Sequence, residues 1–231
     1  MRKAFFLFTA LFLLISGASV QQLCAAEHLL SETERKMAEM GFVNIAEMDT
    51  TIIIELAYAT ADNFVGEVLY EDITRAFLHP EAAAAFVKAQ KLLSEKRPGA
   101  RLIVYDAARP MSVQAKMHDK VAGTEKHIYV SNPANGGGLH NYGLAVDVSI
   151  VGSAGEPLSM GTGFDHLGYE ANIDKEPELV AKGIITERER QNRLLLREVM
   201  TGAGFKPLRS EWWHFNFRTR AQAIKDYKVL D

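Results

Sequence analysis

Residues 144–150 alternate without a break. Leu144, Val146, Val148 and Ile150 fall on one side of an extended chain, and Ala145, Asp147 and Ser149 fall on the other. Such a run folds as a strand with an apolar face toward a core, so an acid is fixed inside a hydrophobic element. An unpaired carboxylate there is costly, so Asp147 calls for a ligand or an ion-pair role. His140 stands seven residues earlier in GGGLHNYGLAVDVSI (Gly136 to Ile150), and Gly143 lets the chain turn sharply between the two. Both groups therefore come to one end of a sheet. On spacing alone, a metal site and a surface histidine beside a solvated aspartate are equally consistent.

A second segment shifts that balance. SEWWHFNF (Ser210 to Phe217) carries Glu211 three residues before His214. Two imidazoles (His140, His214) and one carboxylate (Asp147) can hold one zinc ion and leave a fourth position open for water. Glu211 can then act as general base for that water. Together these groups are the minimum equipment for hydrolysing an amide bond. Residues i and i+3 face opposite sides of a regular strand, so a bulge, a strong twist or an entering turn at Glu211 is required. Trp212, Trp213, Phe215 and Phe217 read as core. Arg109, in YDAARP just past the apolar run RLIVY, is placed either to stabilise a developing oxyanion or to pair with Asp106.

The rest of the chain gives the frame. With 231 residues it is long enough for one domain with its own core. The net charge of -3, without a long run of either sign, gives no basic stripe and so no nucleic-acid partner. Arg2 and Lys3 precede an apolar stretch from Ala4 to Ile15, then small residues with Ala18 and the Ala25-Ala26 pair as cleavage points. About 20 apolar residues are needed to cross a bilayer. The stretch is shorter, so the expectation is a signal peptide over 1–26, removed on export to the periplasm or medium, with no stable membrane insertion afterwards. Cleavage after Ala26 would also remove Cys24, the only cysteine. Residues 27–231 are expected to form a single zinc peptidase domain.

Ser31 to Glu34 and Thr186 to Glu189 are capping boxes. Pro80 precedes the helix-rich EAAAAFVKAQKLLSEK, TIIIELA (Thr51 to Ala57) reads as a strand, and a further helix is expected over Val113 to Val121. The mixture suggests an α+β fold with a small antiparallel sheet flanked by helices. His28, His79, His118 and His127 read as solvated, and His166 as a residue at the border of the site.

H-x6-D followed by E-x2-H resembles the LAS zinc metallopeptidases, which include lysostaphin and the hedgehog signalling domain. Tyr58-Ala59-Thr60-Ala61-Asp62-Asn63-Phe64, Asp106 to Pro110, Met160 to Asp165, Arg190 to Arg193 and Ser210 to His214 resemble, in order, segments of the D-alanyl-D-alanine dipeptidases (VanX type) within that group. The resemblance spans about Ile52 to Phe217. It implies an LAS/hedgehog-like fold, one zinc per chain on His140, Asp147 and His214, Glu211 as catalytic base, and Arg109 at the tetrahedral intermediate. It also implies that Asp165 pairs with the substrate's ammonium group, with Tyr58 closing that end. The implied substrate is the small dipeptide D-Ala-D-Ala, cleaved in cell-wall turnover or scavenging. The rivals are a D,D-carboxypeptidase or endopeptidase on longer peptidoglycan peptides, and a non-catalytic zinc-stabilised binding module. The chain departs from the family pattern at Gly138, where a serine is usual, and at Ala107 and Ala108, where glycine and tyrosine are usual.

Overall fold

The computed structural model describes residues 30–231. The expected leader over 1–26 and His28 lie outside the described residues. The helices are α1 (Glu32–Glu39), α2 (Ile45–Met48), α3 (Pro80–Lys96), α4 (Met111–Val121), α5 (Glu176–Ala181), α6 (Glu187–Gly202) and α7 (Arg220–Asp226). The strands are β1 (Val43–Asn44), β2 (Ile53–Ile54), β3 (Phe77–Leu78), β4 (Arg101–Asp106), β5 (Ala145–Val151), β6 (Lys206–Leu208) and β7 (Glu211–Asn216).

The fold is mixed α/β, and its main sheet differs from the small antiparallel one expected. Five strands run in the order β2-β4-β5-β7-β6, while β1 and β3 form a separate antiparallel pair. β2 runs parallel to β4; the other neighbours in the five-stranded sheet are antiparallel. The cause is the connection. β2 reaches β4 only after β3 and the long helix α3, and a crossover of that kind returns the chain in the same direction. TIIIELA accordingly contributes only two strand residues at this edge.

α3 starts at Pro80, whose missing N–H costs nothing in the first turn. Ala82, Phe86, Ala89 and Leu93 recur at helical spacing and are buried, and small residues let the helix lie close to β4 and α6. Both capping boxes form, Ser31 with Glu34 and Thr186 with Glu189.

β5 lies between β4 and β7, and every one of its residues is buried. Two irregularities shape the sheet next to it. Val104 pairs with Val148 and Asp106 with Asp147, so Tyr105 is an extra residue on β4. On the other side Pro207 pairs with Phe215 but Leu208 with Glu211, so the first half of β7 swings away from the regular ladder. Bulges of this kind re-aim side chains next to functional sites.

Candidate metal centre and active site

His140 sits on a 3-10 turn over Leu139–Tyr142, flanked by Gly138 and Gly143. Gly143 has φ +63, and a β-carbon there would lie 2.8 Å from the His79 nitrogen, so only glycine lets the turn enter β5 this closely. The turn is stitched to the YDAARP loop: Arg109 N–H donates to the His140 carbonyl at 3.0 Å, and the Asn141 side-chain amide donates to the Arg109 carbonyl at 2.8 Å.

Asp147 and His214 are cross-strand partners on β5 and β7. His140 Nδ1 lies 2.7 Å from the Ala107 carbonyl, an acceptor only, so that nitrogen carries the hydrogen and Nε2 keeps its lone pair. Nε2 is 3.1 Å from His214 Nδ1 and 3.3 Å from Asp147 Oδ1. His214 Nδ1 is 2.9 Å from Asp147 Oδ1, and its far nitrogen, Nε2, lies 3.0 Å from Asn216 Oδ1. In tetrahedral zinc with bonds near 2.0–2.1 Å, ligand atoms stand roughly 3.3 Å apart. The three donors have that spacing, and each imidazole is oriented by a partner on its other nitrogen, as metal-bound histidines are. The donor set therefore fits a divalent ion, which His140 Nε2, Asp147 and His214 Nδ1 would hold. Burial works against the charge on Asp147, but the two histidines hold its carboxyl well below the usual carboxylate range.

Glu211 opens β7 and lines the same cleft. The swing of β7 supplies the departure from regular strand geometry that Glu211 and His214 need to share one site. Glu211 is 7% exposed, and its carboxylate makes no hydrogen bond among the described residues. Burial pushes it up to about 7, aided by the negative charges of Asp147 and Asp165 and opposed by His214 and Arg109. A carboxyl that is desolvated and unpartnered is poised to exchange a proton near neutrality.

Arg109 fulfils the structural alternative and still reaches the cleft. Its Nε donates to Asp106 Oδ2 at 2.9 Å, its Nη2 pairs with the same oxygen, and its Nη1 donates to Gln114 Oε1 at 2.9 Å. Tyr70 donates to the other oxygen of Asp106 at 2.5 Å. The guanidinium is 3.9 Å from Asp147 and stacks 5.2 Å from the centre of the Tyr58 ring.

Asp165 also lines the cleft. Tyr58 Oη donates to it at 2.9 Å and Phe64 N–H at 3.4 Å. Burial, together with the charge on Asp147, raises its carboxyl to about 7 despite those donors. Among the described residues it is the only non-glycine residue with positive φ, at +59. Left-handed backbone of this kind costs energy and concentrates at functional sites. The sheet thus brings His140, Asp147, His214, Glu211, Arg109, Asp165 and Tyr58 to one cleft.

Two histidine expectations change. His79 is not solvated: its ring packs edge-on against Tyr227 at 4.8 Å, and its buried Nδ1 has no partner among the described residues. His166 does not line the cleft; it is exposed and pairs with Glu170 at 2.8 Å, while Leu167 takes the place beside the site. Sequence reasoning missed Asn216, Gln114 and Tyr70. Asn216 had a usable signal, since a residue two beyond His214 shares its strand face. Gln114 and Tyr70 had none, because their roles depend on contacts between separate segments.

Comparison with known proteins gives the family. The chain is 34% identical over 173 residues to the D-alanyl-D-alanine dipeptidase of Escherichia coli (strain K12), covering 75% of this chain and 82% of that protein. It is 30% identical over 199 residues to the D-alanyl-D-alanine dipeptidase of Enterococcus faecalis (strain ATCC 700802 / V583), covering 77% and 91%. It is 28% identical over 201 residues to that of Enterococcus faecium, covering 78% and 93%. A family model described as peptidase M15, D-ala-D-ala dipeptidase, matches residues 38–229, and the chain therefore belongs to that metallopeptidase family.

Proposed function

We propose that this chain is a zinc-dependent dipeptidase that hydrolyses D-Ala-D-Ala to two molecules of D-alanine. The observation that carries the reading is Glu211, a buried carboxyl without a partner, in the same cleft as a three-donor metal set and a second acid, Asp165. A structural zinc site would need neither acid.

His140, Asp147 and His214 would hold the zinc, which would supply Lewis acidity toward the peptide carbonyl and lower the pKa of water at the site. Glu211 takes a proton from the attacking water and passes it to the leaving nitrogen as the C–N bond breaks. Arg109, fixed by Asp106 and Gln114, faces the negative charge that develops on the carbonyl oxygen. Asp165 receives the substrate's ammonium group, and Tyr58 and Phe64 brace it. That brace favours a free dipeptide over a longer peptide, whose chain would have to continue past Asp165.

The same reading takes the fold as LAS/hedgehog-like, with two metal donors on adjacent antiparallel strands and the third on the turn leading into one of them. It takes residues 1–26 as a leader and 27–231 as one peptidase domain acting in the periplasm or outside the cell, in wall turnover or scavenging. Among the described residues no helix is long and apolar enough to cross a membrane. The test is release of D-alanine from D-Ala-D-Ala by the purified protein, before and after chelation and after restoring zinc. Hydrolysis that survives complete metal removal, or faster cleavage of an N-blocked tripeptide, would refute the proposal.

A further inference from the structure

The proposed substrate is a zwitterion, and Asp165 accounts for only one of its charges. The carboxylate at the other end must also leave water, which requires a cation or several donors in its place. Apart from the metal-binding histidines, two cationic side chains line the cleft, Arg109 and Arg220. Arg109 is already committed to Asp106 and Gln114, with Asp147 at 3.9 Å.

Arg220 is in a different state. It is the first residue of α7 and is exposed, and its Nη2 donates to the Asn135 carbonyl, which ties the side chain to the 3-10 turn over Pro133–Asn135. Among the described residues no carboxylate lies within ion-pair distance of it. Its remaining donors form a planar fork suited to a carboxylate. A cleft lined by both a braced acid and an uncompensated guanidinium matches a short zwitterion.

We infer that Arg220 is a specificity-determining residue that binds the C-terminal carboxylate of the substrate. The inference rests on the dipeptidase reading and deepens it, because it makes a free carboxyl terminus a requirement.

The test compares zinc-loaded wild type, Arg220→Gln and Arg220→Lys on D-Ala-D-Ala and on D-alanyl-D-alaninamide, which is neutral at that end. Arg220→Gln removes the charge and keeps a polar side chain, and thermal melting checks the fold. Wild type is expected to prefer the acid. Arg220→Gln is expected to raise KM for the acid about tenfold with little change in kcat, and to erase most of the acid-over-amide preference. Arg220→Lys should recover part of it. An active wild type whose acid-to-amide ratio survives Arg220→Gln overturns this inference alone, as does an equal loss on both substrates through kcat. A wild type inert toward both substrates removes the dipeptidase reading and this inference with it.

Discussion

Glu34 and Glu211 are both buried glutamates, and they are in opposite states. Glu34, in the first turn of α1, is 0% exposed and surrounded by donors: Thr74 N–H at 2.9 Å, Thr74 hydroxyl at 3.0 Å, Arg75 N–H at 3.0 Å, Arg75 Nη1 at 2.5 Å and Ser31 N–H at 3.2 Å. Burial alone would raise its pKa; the hydrogen bonds from Thr74 and Ser31 and the charge of Arg75 bring it below 4.5. Glu211, nearly as buried, has no donor among the described residues and is pushed up to about 7. Burial sets the stakes for a carboxyl, and its partners decide the sign. The satisfied acid holds segments together, whereas the one that faces the cleft without a protein donor is held ready for chemistry at a cost in stability.

Replacing each glutamate by glutamine probes that contrast. The largest effect is expected on catalysis. Glu211→Gln should lower kcat on D-Ala-D-Ala about 10³-fold, the scale of general-base catalysis, while zinc content measured by elemental analysis stays near one per chain. Near-normal turnover in that variant would remove Glu211 as the base.

A smaller effect, on stability, is expected at the other site. Glu34→Gln replaces a carboxylate that accepts from every side with an amide that must present hydrogens to the same donors. A loss of about 3 kcal/mol at pH 7 is expected, lowering the melting temperature on the order of 10 °C. The folded-state pKa of Glu34 is depressed, so its contribution is complete above about 4.5 and fades as pH falls through the folded value. The deficit of the variant should therefore shrink in acid. A deficit that is constant from pH 7 to pH 3 would show that charge is not the source.

The third effect has the opposite sign. Glu211 is harder to ionise in the folded metal-free protein than in the unfolded chain, so wild type loses stability as pH rises from 4.5 through about 7. Glutamine escapes that cost. In denaturant titrations of metal-free protein, Glu211→Gln should match wild type near pH 4 and exceed it by on the order of 2 kcal/mol at pH 8. A variant less stable than wild type at pH 8 would break the comparison between the two glutamates.

Part of this was readable from residue order. The alternation over Leu144 to Ile150 placed Asp147 inside a strand, and the two histidine segments contained the three groups that the fold brings together as a candidate metal site. The capping box identified Ser31 and Glu34 as a helix start. Neighbours along the chain carry such signals, because strand and helix periods are local properties. The reach of Glu34 to Thr74 and Arg75 was not readable, since it joins segments some 40 residues apart. The left-handed backbone of Asp165 was also hidden, because nothing in the residue type demands it and the surrounding packing imposes it.

The sequence by itself therefore determined which groups could do the chemistry: two imidazoles, a strand aspartate, a nearby glutamate and a loop arginine. Only the tertiary structure decided how they meet. The parallel placement of β2 follows from the α3 crossover, and Glu211 shares the cleft with His214 because β7 leaves its ladder after Phe215 pairs with Pro207. Arg109 is fixed by Asp106 and Gln114, and Arg220 is tied to the Asn135 carbonyl. Donor identity is written residue by residue, but register shifts, crossovers and the pairing of distant charges are settled by packing the whole chain at once.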